Sequence, residues 1–417
     1  MNDNSPQNGH VYDLVLKGGQ VIDPANGIDA IMDVGISAGK IAGVAPAIPD
    51  SQAAEVVDVT GLVVTPGILD IHTHVYPFRP NPTSYVECLN ADAHFFSAGV
   101  TTTVDAGTAG WKHFLDFKET YIDRANVRIL AFINIARGGM VQSESEQNPR
   151  DLDPRLAAAL ALAFPDLIVG VKTAHYWTRQ AWDEDHRPWL SVERAVEAGE
   201  LCSKPVMVDF WPRPPERPYP DLLLKKLRPG DIHTHVFAQQ FPVLSETGKV
   251  NDFLREAREK GILFDLGHGA ASFWFRNALP AFRDGFPPDT ISTDLHMENV
   301  NGPVISMLNT MSKFYGMGMP LKEVIYRSTA RPAQVIGHPQ LGTLSVDSDA
   351  DVAVFKRLEG AYSFTDCGRA KMTAKAKLEC MLTIRAGKIV YDPTGLSMPE
   401  WEQAPASYWV IPSLQAG

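Results

Sequence analysis

The sequence predicts an α/β protein: a parallel (β/α)8 TIM barrel with a small composite β-sandwich contributed by the two chain ends. Three observations predict it. The chain has 417 residues, enough for a barrel of roughly 250 residues plus an accessory unit. Between about Pro66 and about His338, eight short apolar segments alternate with helical stretches, the pattern of repeated βα units. The flanking regions share a strand-and-turn texture, with SAGKIA early and RAGKIV late, so the two ends are expected to pair. The expected boundaries are 1–65 and 339–417 for the two halves of the sandwich and 66–338 for the barrel.

Taken in order, YDLVLKGGQVIDPANG, DVGISAGKIAGVAP and EVVDVTGLVVTPG alternate short β-branched runs with Gly, Asn and Pro turns, as hairpins do. The eight barrel strands then end in ILDIHTH, TTTVDAG, ILAFINIA, LIVGVKT, PVMVDFW, DIHTHVF, ILFDLGHG and TISTDLH, with RLAAALALAF and SVERAVEAGELCS among the helical gaps. DADVAVFKRLEG and CMLTIRAGKIVYDPTG return to hairpin texture. An open, doubly wound nucleotide-binding sheet is not supported, because no G-x-G-x-x-G or G-x-x-x-x-G-K-[ST] follows any of these strands.

Hydrophobic residues make up 45% of the chain and charged ones 21%, as in globular proteins. The formal net charge of -11 has the wrong sign for a surface that neutralises phosphates, so nucleic acid is not an expected partner. MNDNSPQNGHVYD lacks a basic segment followed by an apolar one, and no apolar run is long enough to span a bilayer. A cytoplasmic protein without a membrane partner is expected. Cys88, Cys202, Cys367 and Cys380 are scattered and form no C-x-x-C, so they read as buried structural residues.

Chemistry concentrates where barrel strands end in His, Lys or Asp, since catalytic groups in such barrels project from the C-terminal strand ends. Strand alternation puts His72 and His74 on one face, a chelating H-x-H pair. Each residue alone has an ordinary reading. The histidines could be a hydrogen-bonded core pair, Lys172 an ion-paired lysine, and Asp294 a helix N-cap. His235 and His268 could be structural. Together, at strand ends of one barrel, they point to a metal site.

TPGILDIHTH, the lysine of VGVKTAH, the histidine of DIHTHVF and the aspartate of ISTDLH resemble the amidohydrolase superfamily in order and spacing. FDLGHG, ISTDLH and LNTMSKFYGMGM are similar to its deacetylase-type, dihydroorotase-like branch. The resemblance spans nearly the whole chain, including the STARPAQVIGHPQLGTLSVDSDADVAVF junction. It implies a hydrolase of carbon–nitrogen bonds other than peptide bonds, or of related esters. It also implies that His72, His74 and Asp294 hold a first divalent ion, that Lys172, carboxylated by CO2, bridges to a second, and that His235 binds this second ion. Where many relatives have a histidine on the fifth strand, this chain has Asp209, expected to serve as a ligand still. Two divalent ions would then be balanced by the carbamate, Asp209, Asp294 and a hydroxide, whereas a histidine would leave one positive charge. Zinc is the expected metal, with manganese or another hard ion as the alternative that Asp209 opens.

In this reading Asp294 takes the proton from the attacking water and delivers it to the leaving nitrogen or oxygen. His268 is the first choice for a substrate contact, followed by His296, Arg137 and Tyr76. His233 is expected one layer deeper. The stiff loop from Trp211 to Pro220 reads either as a cap that attracts an anionic substrate or as a subunit contact. Three substrate readings follow: a deacylase of N-acyl amino acids or acetyl esters, a cyclic-amide hydrolase of dihydroorotase or hydantoinase type, and a scaffold without catalysis. Trp401, Tyr408 and Trp409 give an apolar tail suited to packing in a homo-oligomer.

Overall fold

The computed structural model describes residues 10–77, 88–141, 143–176 and 181–409. Most of the stretch MNDNSPQNGHVYD and the last residues of the 339–417 segment lie outside them. Among the described residues, fifteen strands form two sheets. The first joins both chain ends, through β1 (Tyr12–Asp23), β2 (Ile28–Ser37), β3 (Lys40–Ala45), β4 (Ala53–Asp58), β5 (Val63–Pro66), β13 (Val352–Thr365), β14 (Lys371–Arg385) and β15 (Lys388–Tyr391). Its order is β15-β14-β13-β5-β1-β2-β3, with β4 also on β1. The expected union of the ends is a direct antiparallel seam, Val352 opposite Pro66 and Val354 opposite Val64. The hydrogen-bonded path is one continuous sheet.

Alternation gives this sheet two buried faces. Val64, Val352 and Val354 join Leu14, Leu16, Ile36 and Ile384 in one apolar cluster, while Val63, Ala353 and Phe355 face the other way into the main core. The β13–β14 hairpin runs further than the sequence suggested. Its outer half lies along the helix Met307–Gly316, where Ser312 Oγ accepts from Leu378 N at 3.0 Å.

The second sheet is parallel and curled. It comprises β6 (Ile68–Thr73), β7 (Val100–Gly110), β8 (Arg128–Asn134), β9 (Ile168–Thr173), β10 (Val206–Val208), β11 (Ile232–His233) and β12 (Leu263–Phe264), in sequential order. These are seven of the eight expected strands. The eighth segment, 290–295, makes isolated parallel bridges to both edges, Thr290 to Asp265 and Leu295 to Thr73. The predicted helical gaps are helices Pro154–Ala163 and Leu190–Cys202. Asp153 caps the first by accepting from Arg155 N and Leu156 N ahead of Pro154, a favoured start. Leu69, Ile71, Val104, Phe132 and Met207 cluster with the helix Ala330–Val335. Each such buried side chain contributes about 1.5–3 kcal/mol. No helix among the described residues is long and apolar enough to cross a membrane.

Candidate metal centre

The C-terminal strand ends carry the polar groups, and the 290–295 segment draws them together. Asp294 N donates to His72 O at 2.6 Å and His74 N donates to Leu295 O at 3.1 Å. Asp294 is thereby fixed against the H-x-H pair, its Oδ1 3.0 Å from His74 Nε2 and 3.5 Å from His72 Nε2. Ligand atoms of these three residues all lie within 4.8 Å of one another.

Hydrogen bonds behind the ring fix which nitrogen of His72 faces this point. Thr234 Oγ1 gives its one proton to Asp265 Oδ2 at 2.7 Å, so it accepts from His72 Nδ1 at 2.9 Å. The lone pair of His72 therefore sits on Nε2, as metal binding requires. Burial pushes the His72 imidazole down to about 3, with Lys172 adding to the effect, so the ring is neutral. Burial also pushes the Asp294 carboxyl up, but His72, His74 and His296 overcome it and hold the group well below the usual carboxylate range. It is ionised. Neutral imidazole nitrogens and a carboxylate are a fitting donor set for a divalent cation.

Lys172 is fully buried, with Nζ 3.2 Å from His72 Nε2. Burial lowers its pKa despite nearby Asp209 and Asp294, favouring the neutral amine. Its stem passes over Gly107, where an added Cβ would lie 2.6 Å from Lys172 Cγ and where φ is +85°.

Beside this group stand Asp209, just after β10, and His235, just after β11, whose ring centroid lies 5.0 Å from that of His72. His235 Nδ1 donates to Gly267 O at 2.6 Å, leaving Nε2 towards Asp209 Oδ2 at 3.7 Å. Burial pushes the Asp209 carboxyl up, but His235, His175, Lys172 and His72 outweigh it and leave it lowered. A third group that the sequence reading had not assigned joins them. His175 points Nε2 at Asp209 Oδ2 across 3.8 Å and donates from Nδ1 to Glu146 Oε2 at 2.7 Å. Burial lowers its pKa, but Glu146 raises it further, for a net rise. Plain alternation from Lys172 turns residue 175 away, whereas its φ of 50° turns it inward. His235 and Asp294 are also left-handed, at φ 64° and 52°. This conformation costs about 1–2 kcal/mol per residue and collects at functional sites.

These residues line a cavity of ≈ 280 Å³ together with His296, Trp211, Gln239, Gln240, Ser272 and Glu298. His296 sits there with its Nδ1 2.7 Å from Asp294 O. The glutamines follow the sixth strand directly in HTHVFAQQ, a signal not used above. Three expected substrate contacts are corrected. His268 is fully buried behind the wall, accepting from Lys313 Nζ at 2.7 Å and packed on Phe273, and does not line the cavity. Tyr76 is a core residue whose hydroxyl donates to Asp116 Oδ2 at 2.5 Å. Arg137 is exposed, 6.0 Å from the Trp111 ring.

His233 is indeed deeper, enclosed by Tyr219, Phe241 and Phe264. The loop arginines do not face the cavity either. Arg217 is buried over Phe210, with its guanidinium donating to Tyr176 O, and Arg213 stacks on Trp182. The loop is thus pinned to its own chain, and Trp211 alone of it reaches the cavity. A wider depression of ≈ 420 Å³ lies at the opposite strand ends, beside Lys204, Arg228 and Arg331. It holds no such cluster, and Arg228 and Arg331 are engaged with Asp231 and Asp289.

Converging imidazoles and an ionised carboxylate beside a buried lysine define a metal-dependent hydrolase centre. A deacetylase of Enterococcus faecalis is 30% identical to the chain over 384 residues, covering 91% of this chain and 99% of that protein. A crystal structure of an adenine deaminase superposes with TM-score 0.81 at 30% identity, over 91% of this chain and all of that one. A crystal structure of a dihydroorotase gives TM-score 0.76 at 27% identity, over 91% and 99%. No family model matches the chain. The chain belongs to the amidohydrolase superfamily.

Proposed function

We propose that this enzyme is a deacylase, cleaving the amide of an N-acyl amino acid or the ester of an acetylated small molecule at a centre for two divalent ions, zinc first among them. The observation that carries the reading is the meeting of His72, His74 and Asp294 with Lys172 at one cavity. The deacetylase of Enterococcus faecalis, aligned over nearly its whole length, supports the choice of substrate. Taking the bridges of the 290–295 segment as closure gives an eight-stranded barrel over 66–338, flanked by 1–65 and 339–417.

His72, His74 and Asp294 would hold the first ion, and Asp209 and His235 the second. The ions supply Lewis acidity, polarising a carbonyl and making water acidic enough to ionise at roughly pH 7. Lys172, in the neutral form that burial favours, would add to CO2 and lose a proton, giving a carbamate whose oxygens could serve as ligands. Asp294 accepts the proton of the attacking water and passes it to the leaving nitrogen or oxygen. His296 holds the Asp294 backbone through its carbonyl, keeping that carboxylate in line. Trp211 and the two glutamines offer stacking and hydrogen bonds to the substrate.

The dihydroorotase likeness favours a second reading, hydrolysis of a cyclic amide. Acetate release from N-acetyl amino acids and acetyl esters is compared with ring opening of dihydroorotate and hydantoin and with ammonia release from adenine. The deacylase reading expects kcat/KM for an acetylated substrate at least tenfold above the others. Turnover confined to the cyclic amides or to adenine refutes it. The exposed Trp401, Tyr408 and Trp409, which pack on one another, support assembly into a homo-oligomer. Light scattering of the full chain tests this.

A further inference from the structure

We propose that His175 is a ligand of the second cation, taking the place in the donor set that the aspartate on the fifth strand leaves short of a nitrogen. The inference rests on the two-ion reading above. Three independent features aim this residue at the site. Its Nε2 and that of His235 flank the same Asp209 oxygen at 3.8 and 3.7 Å. Ligands about 2.1 Å from a tetrahedral ion stand roughly 3.4 Å apart, so each of the two nitrogens stands within a few tenths of an ångström of ligand spacing from the Asp209 oxygen they share.

The tautomer is also set for it. Nδ1 donates to Glu146, itself buried and held through Oε1 by Asn134 Nδ2 at 2.9 Å, so Nε2 is the nitrogen that faces Asp209. A carboxylate behind a histidine is the arrangement that orients metal-bound imidazoles. The backbone is held as well, since Gln147 Nε2 donates to His175 O. One short helix, Ser143–Gln147, thus grips both the ring and the main chain of a residue in left-handed conformation. Asp209, His235, His175 and the Lys172 carbamate then give two nitrogens and two oxygens, a harder set than paired histidines with one carbamate oxygen.

The test is metal stoichiometry and affinity on the full chain, purified without chelators, loaded with ZnCl2 in bicarbonate, dialysed and measured by plasma mass spectrometry, with MnCl2 run in parallel. Wild type is expected to hold two ions. His175→Ala is expected to keep one and lose the other, and Glu146→Gln to weaken that same ion about tenfold. Circular dichroism checks the fold; should His175→Ala fail to fold, Glu146→Gln decides. Two ions held with unchanged affinity in the folded variants overturn the role of His175 and leave the two-ion reading standing. One ion in the wild type overturns both.

Discussion

Replacing Thr234 with valine tests whether the hydrogen bonds behind His72 set its metal-binding tautomer. The hydroxyl accepts from His72 Nδ1 at 2.9 Å and donates to Asp265 Oδ2 at 2.7 Å. Valine has nearly the same shape but makes neither bond. Asp265 keeps the hydroxyls of Thr290 at 2.6 Å and Ser292 at 2.7 and 2.8 Å, so it remains largely satisfied. His72 Nδ1 loses its partner, with Asp265 Oδ2 the nearest substitute at 3.5 Å. A buried donor left unpaired costs about 1–3 kcal/mol, and the nearby aspartate should recover part of this, so a loss of about 1–2 kcal/mol in stability is expected. Losing a partner of this kind typically weakens metal binding 10–100-fold. Denaturation of the metal-free protein gives the first quantity, and competition with a chromophoric chelator gives the second. Metal affinity within twofold of wild type would refute the tautomer argument.

Three further outcomes follow from the same geometry. Asp294→Asn should lower kcat by about 10²–10⁴-fold or more with an unchanged fold, because the proton carrier is lost; wild-type turnover would exclude that role. Gly107→Ala drives a Cβ to within 2.6 Å of Lys172 Cγ at a φ of +85°. Strain of about 1–2 kcal/mol and overpacking of about 1–3 kcal/mol should lower the thermal midpoint and displace Lys172, whereas an unchanged midpoint would contradict the close approach. Burial pushes Lys313 down to about 7 against the pull of Cys367 and Asp366. Above that pH the unfolded chain binds a proton that the folded one lacks, so stability should rise from pH 7 towards 10 by up to about 1.4 kcal/mol per unit. Denaturant titrations of wild type and Lys313→Met at pH 6.5 and 8.5 check this, and identical slopes would refute it.

The sequence displayed the parts of this molecule that depend on periodicity. Short apolar segments alternating with helical stretches located seven sheet strands and the bridging 290–295 segment, and H-x-H placed two imidazoles beside Asp294. What it concealed depends on local backbone turns and distant packing. His175 faces the site because its φ is positive, which no alternation rule conveys. His268 has the right parity at its strand end but is taken by Lys313 of the Met307–Gly316 helix, 45 residues further on. Arg217 carries a charge suited to an anionic ligand, yet its proline-rich loop folds it over the Phe210 ring. The length of the β13–β14 hairpin was hidden because its outer half packs mainly on a helix rather than along an alternating sheet face.

The central claim is that His72, His74 and Asp294 hold a divalent cation. Anomalous diffraction at the zinc edge, on crystals of zinc-loaded protein, tests it most directly. The account predicts a peak about 2.0–2.2 Å from His72 Nε2, His74 Nε2 and an Asp294 carboxylate oxygen. A fully loaded crystal with no peak there would contradict it.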